Sequence, residues 1–186
     1  RRIRTHARKN SGKQERKVGT LMDASRPDGS GLQANGISFD LDVSDVELYE
    51  AARALLLTAH HSENHRVAAA MRGESGAIYL GLHIGAKRIN VCAESSALAN
   101  ARMAREPAIH SVVAVSMDGQ GQPQVTNPCG LCRELLRSYG TETSVLVDAG
   151  GEVGKVRIKE LLPFPWMRAT ETEWDTLPPR VEDSTT

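Results

Sequence analysis

All three cysteines of the chain stand where helices begin, and that placement restricts the fold more than any other feature. "CAESSALANARMARE" has high helix propensity and is ended by Pro107, so Cys92 opens a helix. "NPCGLCRELLRSYG" reads as a second helix, capped by Asn127, with Pro128 in its first turn and Gly140 as its stop; Cys129 and Cys132 lie in its opening turns. A buried-type strand, "HSVVAVSM", comes between them. Two helix N-termini then point at one spot, where unpaired N–H groups and the positive dipole end favour thiolates, the form that binds metal.

Three convergent thiolates would hold a zinc ion and leave its fourth tetrahedral position open, the mark of a catalytic site. Glu94 is two residues from Cys92 on the same turn. There it can pass protons without being a ligand. Two other readings stay open: a closed structural zinc site completed by His83 or His110, and a redox pair in "CGLC" with Cys92 an ordinary buried thiol. On either of these Glu94 is a first-turn glutamate favoured by the dipole. An odd number of cysteines makes a poor disulfide framework, so the thiols read as reduced and the protein as soluble and cytoplasmic, with no membrane association.

The rest of the chain supplies a sheet. "SDVELYEAARALLLTAHH" reads as a first helix opened by a capping box of Ser44 and Glu47. "RVAAAMR" and "AIYLGLHI" flank "GESG" as a hairpin, with Tyr79, Gly81, His83 and Gly85 on one face. "DGQGQPQVT" reads as loop, "TSVLVD" and "GKVRI" as strands, and "KELLPFPW" as a short terminal helix. Ala93, Ala97, Ala101 and Ala104 form a small-residue stripe that allows close approach to a sheet or a second subunit. Helices alternating with strands predict an α/β fold with helices on both faces of the sheet.

Domain limits follow from composition. Residues 1–17 carry eight Lys or Arg against one acid, and a loop-like stretch follows; 1–36 read as a basic, mobile arm and linker. The folded domain spans 37–170, and 171–186 read as an acidic mobile tail. Lys plus Arg equals Asp plus Glu at 23 each, so no net charge draws the chain to nucleic acid or membrane. The arm leaves an activity on nucleic acid as the alternative, not favoured because aromatics for base stacking are only 4% of residues.

"CAE" followed by "PCGLC" resembles the zinc signature of the cytidine deaminase superfamily in its three-cysteine form. The likeness extends to "RVAAAM" and "IKELLP", and the spacing from Gly81 to Cys92 with "NPCGLCRELL" is most similar to the blasticidin-S deaminases. It implies a three-layer α/β/α fold with a mixed central sheet, and zinc-dependent hydrolytic deamination of a cytosine-type nucleoside or analogue. It implies Cys92, Cys129 and Cys132 as ligands, Glu94 as proton shuttle, main-chain groups at Ala93 and Pro128 positioning the ring, and a homotetramer. Arg133 matches an Arg of the family motif, whose charge would offset three thiolates. Family members carry Asn-x-Glu against the ribose and an aromatic before the first hairpin strand; here His83, Gly85 and His65 stand at those positions. Gly85 is expected to open volume and His83 to add a donor, for a ligand bulkier or more acidic than ribose.

Overall fold

The computed structural model describes residues 36–170. The basic arm up to residue 35 and the acidic tail from 171 lie outside the described residues.

Helix α1 (Val43–Ala59) starts two residues ahead of the expected box. Asp42 caps it, its Oδ1 accepting from the N–H of Ser44 at 2.8 Å and of Asp45 at 3.1 Å, while Asp45 Oδ2 accepts from the Asp42 N–H at 3.0 Å. The reciprocal pair is therefore Asp42/Asp45, because the helix already includes Ser44; Glu47 instead accepts from Arg72 Nη2 at 3.1 Å. Leu48, Tyr49, Ala52 and Leu56 form the buried stripe, each leucine contributing about 1.5–3 kcal/mol by leaving water.

The hairpin forms as read, with β1 (Val67–Gly73) antiparallel to β2 (Ile78–Leu82). Two short strands, β3 (Ile84–Gly85) and β4 (Asn90–Val91), pair antiparallel apart from the main sheet and lead into α2 (Ala93–Met103). Next come β5 (Ile109–Met117), β6 (Pro123–Val125), α3 (Gly130–Tyr139), β7 (Ser144–Asp148), β8 (Val153–Arg157) and α4 (Ile158–Leu161). The sheet order is β2-β1-β5-β7-β8, with β5 and β7 parallel and the other pairs antiparallel. This is the mixed sheet expected.

β6 lies where the sequence reads as loop, pairing with the far end of β5. Its three residues alternate buried, exposed, buried, too short a run for the period to show, and a proline is tolerated on a strand paired on one side. Tyr49 Oη donates to the Pro123 carbonyl at 3.2 Å and ties β6 to α1.

Two apolar layers sandwich the sheet. Ala68, Ala70, Val113, Val115 and Leu146 meet α1 on one face; Ala69, Met71, Val112, Ala114 and Val145 meet α2 and α3 on the other. On α2 the stripe Ala93, Ala97 and Ala101 is buried against the sheet, whereas Ala104 at its end is exposed. The close approach is explained from the strand side: a Cβ on Gly81 would stand 2.2 Å from the Ala93 carbonyl oxygen and from the Ala97 nitrogen. Only glycine lets β2 and α2 come so near.

Candidate active site

The two helices that carry the cysteines begin beside each other. Cys92 is the N-cap of α2 and Cys129 the N-cap of α3, both in extended backbone, and neither thiol caps its helix. Cys132 sits in the first turn of α3, fully buried. Cys92 and Cys129 Sγ are 3.6 Å apart, and all three sulfurs lie within 4.8 Å of one another. Thiolates about 2.3 Å from a tetrahedral zinc stand about 3.8 Å apart, so the cluster has the spacing and donor chemistry of a three-cysteine zinc centre.

Burial sets the protonation of the thiols more than the helix dipoles do. It pushes Cys132 far up, aided by the negative charge of Glu94 and the neighbouring sulfurs, and it raises Cys92. Cys129 also feels burial, but the Cys132 N–H and the other two thiols outweigh it and bring Cys129 down. Cys129 alone is shifted toward the thiolate, by the donors around it, and a cation is what would let all three ionise together. Glu94, in the first turn of α2, is only 5% exposed, and among the described residues no hydrogen bond engages its carboxylate. Its charge opposes ionisation at every one of the three thiols, which places it beside them.

Asn127 does not cap α3, which starts at Gly130 behind a Cys129 cap. Instead its Nδ2 donates to the Asp148 carbonyl at 3.0 Å and its Oδ1 accepts from the Asp148 N–H at 2.8 Å. The side chain imitates a strand partner and ties the loop carrying Cys129 to the end of β7. Pro128 is buried just ahead of that helix. Arg133 reaches back, Nε donating to the Pro128 carbonyl at 3.0 Å and Nη1 to the Leu161 carbonyl at 3.4 Å. Its cation is held one residue from Cys129 and joins the loop to the end of α4.

The scan against protein-family models matches residues 43–148 to the cytidine and deoxycytidylate deaminase zinc-binding region. The chain belongs to this family. The match spans both helix starts and all three sulfurs, and it makes the protein a zinc-binding deaminase domain and an aminohydrolase. Blasticidin-S deaminase of Bacillus cereus is 33% identical over 137 residues, covering 70% of this chain and 98% of that protein. Cytidine deaminase from Mycobacterium leprae superposes with a TM-score of 0.56 at 25% identity, covering 66% of this chain and all of that one. The Bacillus anthracis cytidine deaminase has a TM-score of 0.58 at 23% identity, covering 67% and 90%, and shares the fold.

The three positions at which the resemblance leads one to expect sugar contacts are tied up in local bonds. His83 is buried; its Nε2 meets Asn90 Oδ1 at 3.2 Å, and its Nδ1 accepts from the Arg66 N–H at a long 3.5 Å. His65 Nδ1 contacts the His83 carbonyl at 2.8 Å. The expected volume at Gly85 is not there: a Cβ would stand 2.9 Å from the Glu63 carbonyl and 3.2 Å from Asn64 Cα, because the Gly85 N–H bonds the Asn64 carbonyl at 2.8 Å. Glycine at 85 serves that backbone approach. The Ala93 carbonyl faces Gly81, while its N–H is among the first-turn donors that a helix leaves without an internal acceptor. Asn90 and the clamp role of Asn127 carry no signal in the sequence, since each depends on a partner brought in by pairing.

Proposed function

We propose that the domain, residues 37–170, hydrolyses the exocyclic amine of a cytosine-type nucleoside or nucleoside analogue, with Cys92, Cys129 and Cys132 as zinc ligands and Glu94 as the proton carrier. The observation that carries the reading is a buried carboxylate with no hydrogen bond among the described residues, two residues along the chain from Cys92, whose sulfur clusters with those of Cys129 and Cys132 within 4.8 Å. Zinc, when bound, supplies a Lewis acid that makes water nucleophilic near neutral pH. Glu94 accepts a proton from that water as it adds to the amine-bearing ring carbon. The carboxylic acid so formed first protonates the ring nitrogen. A second transfer through Glu94 protonates the departing amine, which leaves as ammonia, and the ring keeps the water oxygen as its carbonyl.

The other groups bind and orient. The first-turn N–H donors around Ala93 and the main chain at Pro128 hold the ring, His83 and His65 border the sugar, and the Arg133 cation offsets part of the thiolate charge. The resemblance to cytidine deaminases of this size supports a cytoplasmic homotetramer. Ammonia release from cytidine, deoxycytidine, cytosine, cytidine monophosphate and blasticidin S, on protein of measured zinc content, tests the reading. Glu94→Ala is expected to keep its zinc and lose at least about a hundredfold in kcat, as removal of a general acid–base group does. Full activity in that variant would sink the mechanism.

A further inference from the structure

Cys92 is reached through a weakly held segment. β3 and β4 pair only through Ile84 with Val91 and Gly85 with Asn90, apart from the main sheet, and Ile84, Ile89 and Val91 are all exposed. A two-stranded ribbon with no buried apolar face is marginal in water. Further along, α2 is tied to β2: Ser96 Oγ donates to the Leu82 carbonyl at 3.0 Å and Asn100 Nδ2 to the Leu80 carbonyl at 2.7 Å. Both ties lie beyond Cys92, and the Cys92 thiol makes no cap bond of its own, so its placement needs an anchor on the other side.

That anchor is His83. It is 6% exposed, just past the end of β2, and borders a cavity of about 550 Å3 at the end of the sheet, together with His60, Arg66 and Ser116. Its main chain is held to the sheet and its approach: the N–H donates to the Val67 carbonyl of β1 at 2.8 Å, and the His83 carbonyl meets His65 Nδ1 at 2.8 Å. Its ring is held as well. Nδ1 accepts from the Arg66 N–H at 3.5 Å, so Nε2 carries the ring proton and donates to Asn90 Oδ1 at 3.2 Å. A buried imidazole fixed to the main sheet thereby grips an exposed side chain two residues before Cys92. Both ring nitrogens are engaged by the protein, and neither is left for a sugar hydroxyl.

We propose that His83 and Asn90 are positioning residues for the zinc ligand Cys92, the imidazole holding the Asn90 side chain and Asn90 holding the strand that delivers the thiol. The proposal rests on the zinc site of the reading above, and it adds the support of one ligand from outside the sulfur cluster. Support of that kind is worth about 10–100-fold in metal affinity or activity. The His83 ring can border a sugar, but it hydrogen-bonds Asn90 and Arg66 instead.

The test is metal release from the zinc-loaded protein and from Asn90→Ala, Asn90→Asp and His83→Ala, read with a colorimetric chelator, while cobalt-substituted protein records the thiolate-to-metal charge-transfer band. Asn90 is exposed, so Asn90→Ala folds even where the buried His83→Ala does not. Asn90→Ala and His83→Ala are expected to shed zinc about tenfold faster or more and to change the cobalt band. Asn90→Asp keeps an acceptor for the Nε2 proton and holds the metal as the unmutated protein does, or longer. With cytidine and excess zinc, Asn90→Ala lowers kcat and leaves KM within about threefold. Release and a cobalt spectrum unchanged in Asn90→Ala overturn the proposal, and so does release from Asn90→Asp as fast as from Asn90→Ala. A raised KM in His83→Ala with unchanged metal release assigns the ring to the substrate and overturns it as well. If no form deaminates anything while Asn90→Ala still sheds metal faster than Asn90→Asp, the support of Cys92 stands and the deaminase reading falls.

Discussion

Gly81 offers the sharpest test of how the fold positions the chemistry, because the change is one methyl group and the affected helix carries Cys92 and Glu94. An added Cβ would lie 2.2 Å from the Ala93 oxygen, 2.2 Å from the Ala97 nitrogen and 2.8 Å from Ala97 Cα. Ordinary contact needs about 3.5–4.0 Å, so β2 and α2 have to separate by more than about 1 Å. The obstacles are backbone atoms, and no rotamer change relieves them. Overpacking of this kind costs about 1–3 kcal/mol, and Gly81→Ala belongs at the upper end. For a domain of this size that lowers Tm by about 5–10 °C.

Activity should suffer more than stability. A displacement of about 1 Å at the start of α2 moves a ligand and the proton carrier together, and misplacement on that scale costs about a hundredfold. Thermal melts, zinc content and kcat on purified Gly81→Ala give the three readouts. The double variant Gly81→Ala/Ala97→Gly is the control: the clash is with the Ala97 main chain, so removing its methyl should restore nothing. Wild-type melting and turnover in Gly81→Ala would refute the reasoning, and so would rescue by Ala97→Gly.

Three further outcomes follow from named contacts. The Ser44 hydroxyl bond, then the Asp45 N–H and the Lys155 ammonium, hold the Asp42 carboxyl down at about 2 against some opposing burial, so its contribution is present above the usual carboxylate pKa and is lost as pH falls from about 4 toward 2; Asp42→Ala should cost about 1 kcal/mol at pH 7 in urea melts, a mainly exposed cap, with the difference from wild type shrinking toward zero at pH 2. Asn127→Ala removes both bonds to Asp148 and should cost about 1–2 kcal/mol in stability while speeding zinc loss to a colorimetric chelator; unchanged zinc release would mean the clamp does not hold the Cys129 loop. Because burial holds Cys132 and Cys92 protonated without metal, adding zinc to metal-free protein near pH 7.5 should release about two to three protons per ion, read with a weakly buffered dye; release of fewer than one argues against thiolate ligation.

The features readable from the chain are those whose signal is local. The apolar spacing of α1, the Gly-containing turn between β1 and β2 and the glycine that ends α3 each occupy a few consecutive residues, and each element appears where that pattern lies. The helix ends were less readable. Asp42 takes the cap expected of Ser44, because an oxygen two residues away can cap equally well, while α3 begins behind Cys129 with no side-chain cap, Asn127 being engaged instead with Asp148. β6 and the Gly85 contact were not readable at all, since each exists only through a partner distant in the chain.

The sequence alone determined the two halves of the candidate metal centre: Cys92 with Glu94 on one turn, and Cys129 with Cys132 on another, are set by spacings of two and three residues along the chain. Only the tertiary structure brought the two halves together, and only it formed the cavity at the end of the sheet. The segment from His60 to Arg66, His83 and Ser116 lie far apart along the chain and share a wall because β1 pairs with β2 on one side and β5 on the other. A helical turn is closed by neighbours, whereas a cavity is closed by strand register, and register is a property of the whole sheet.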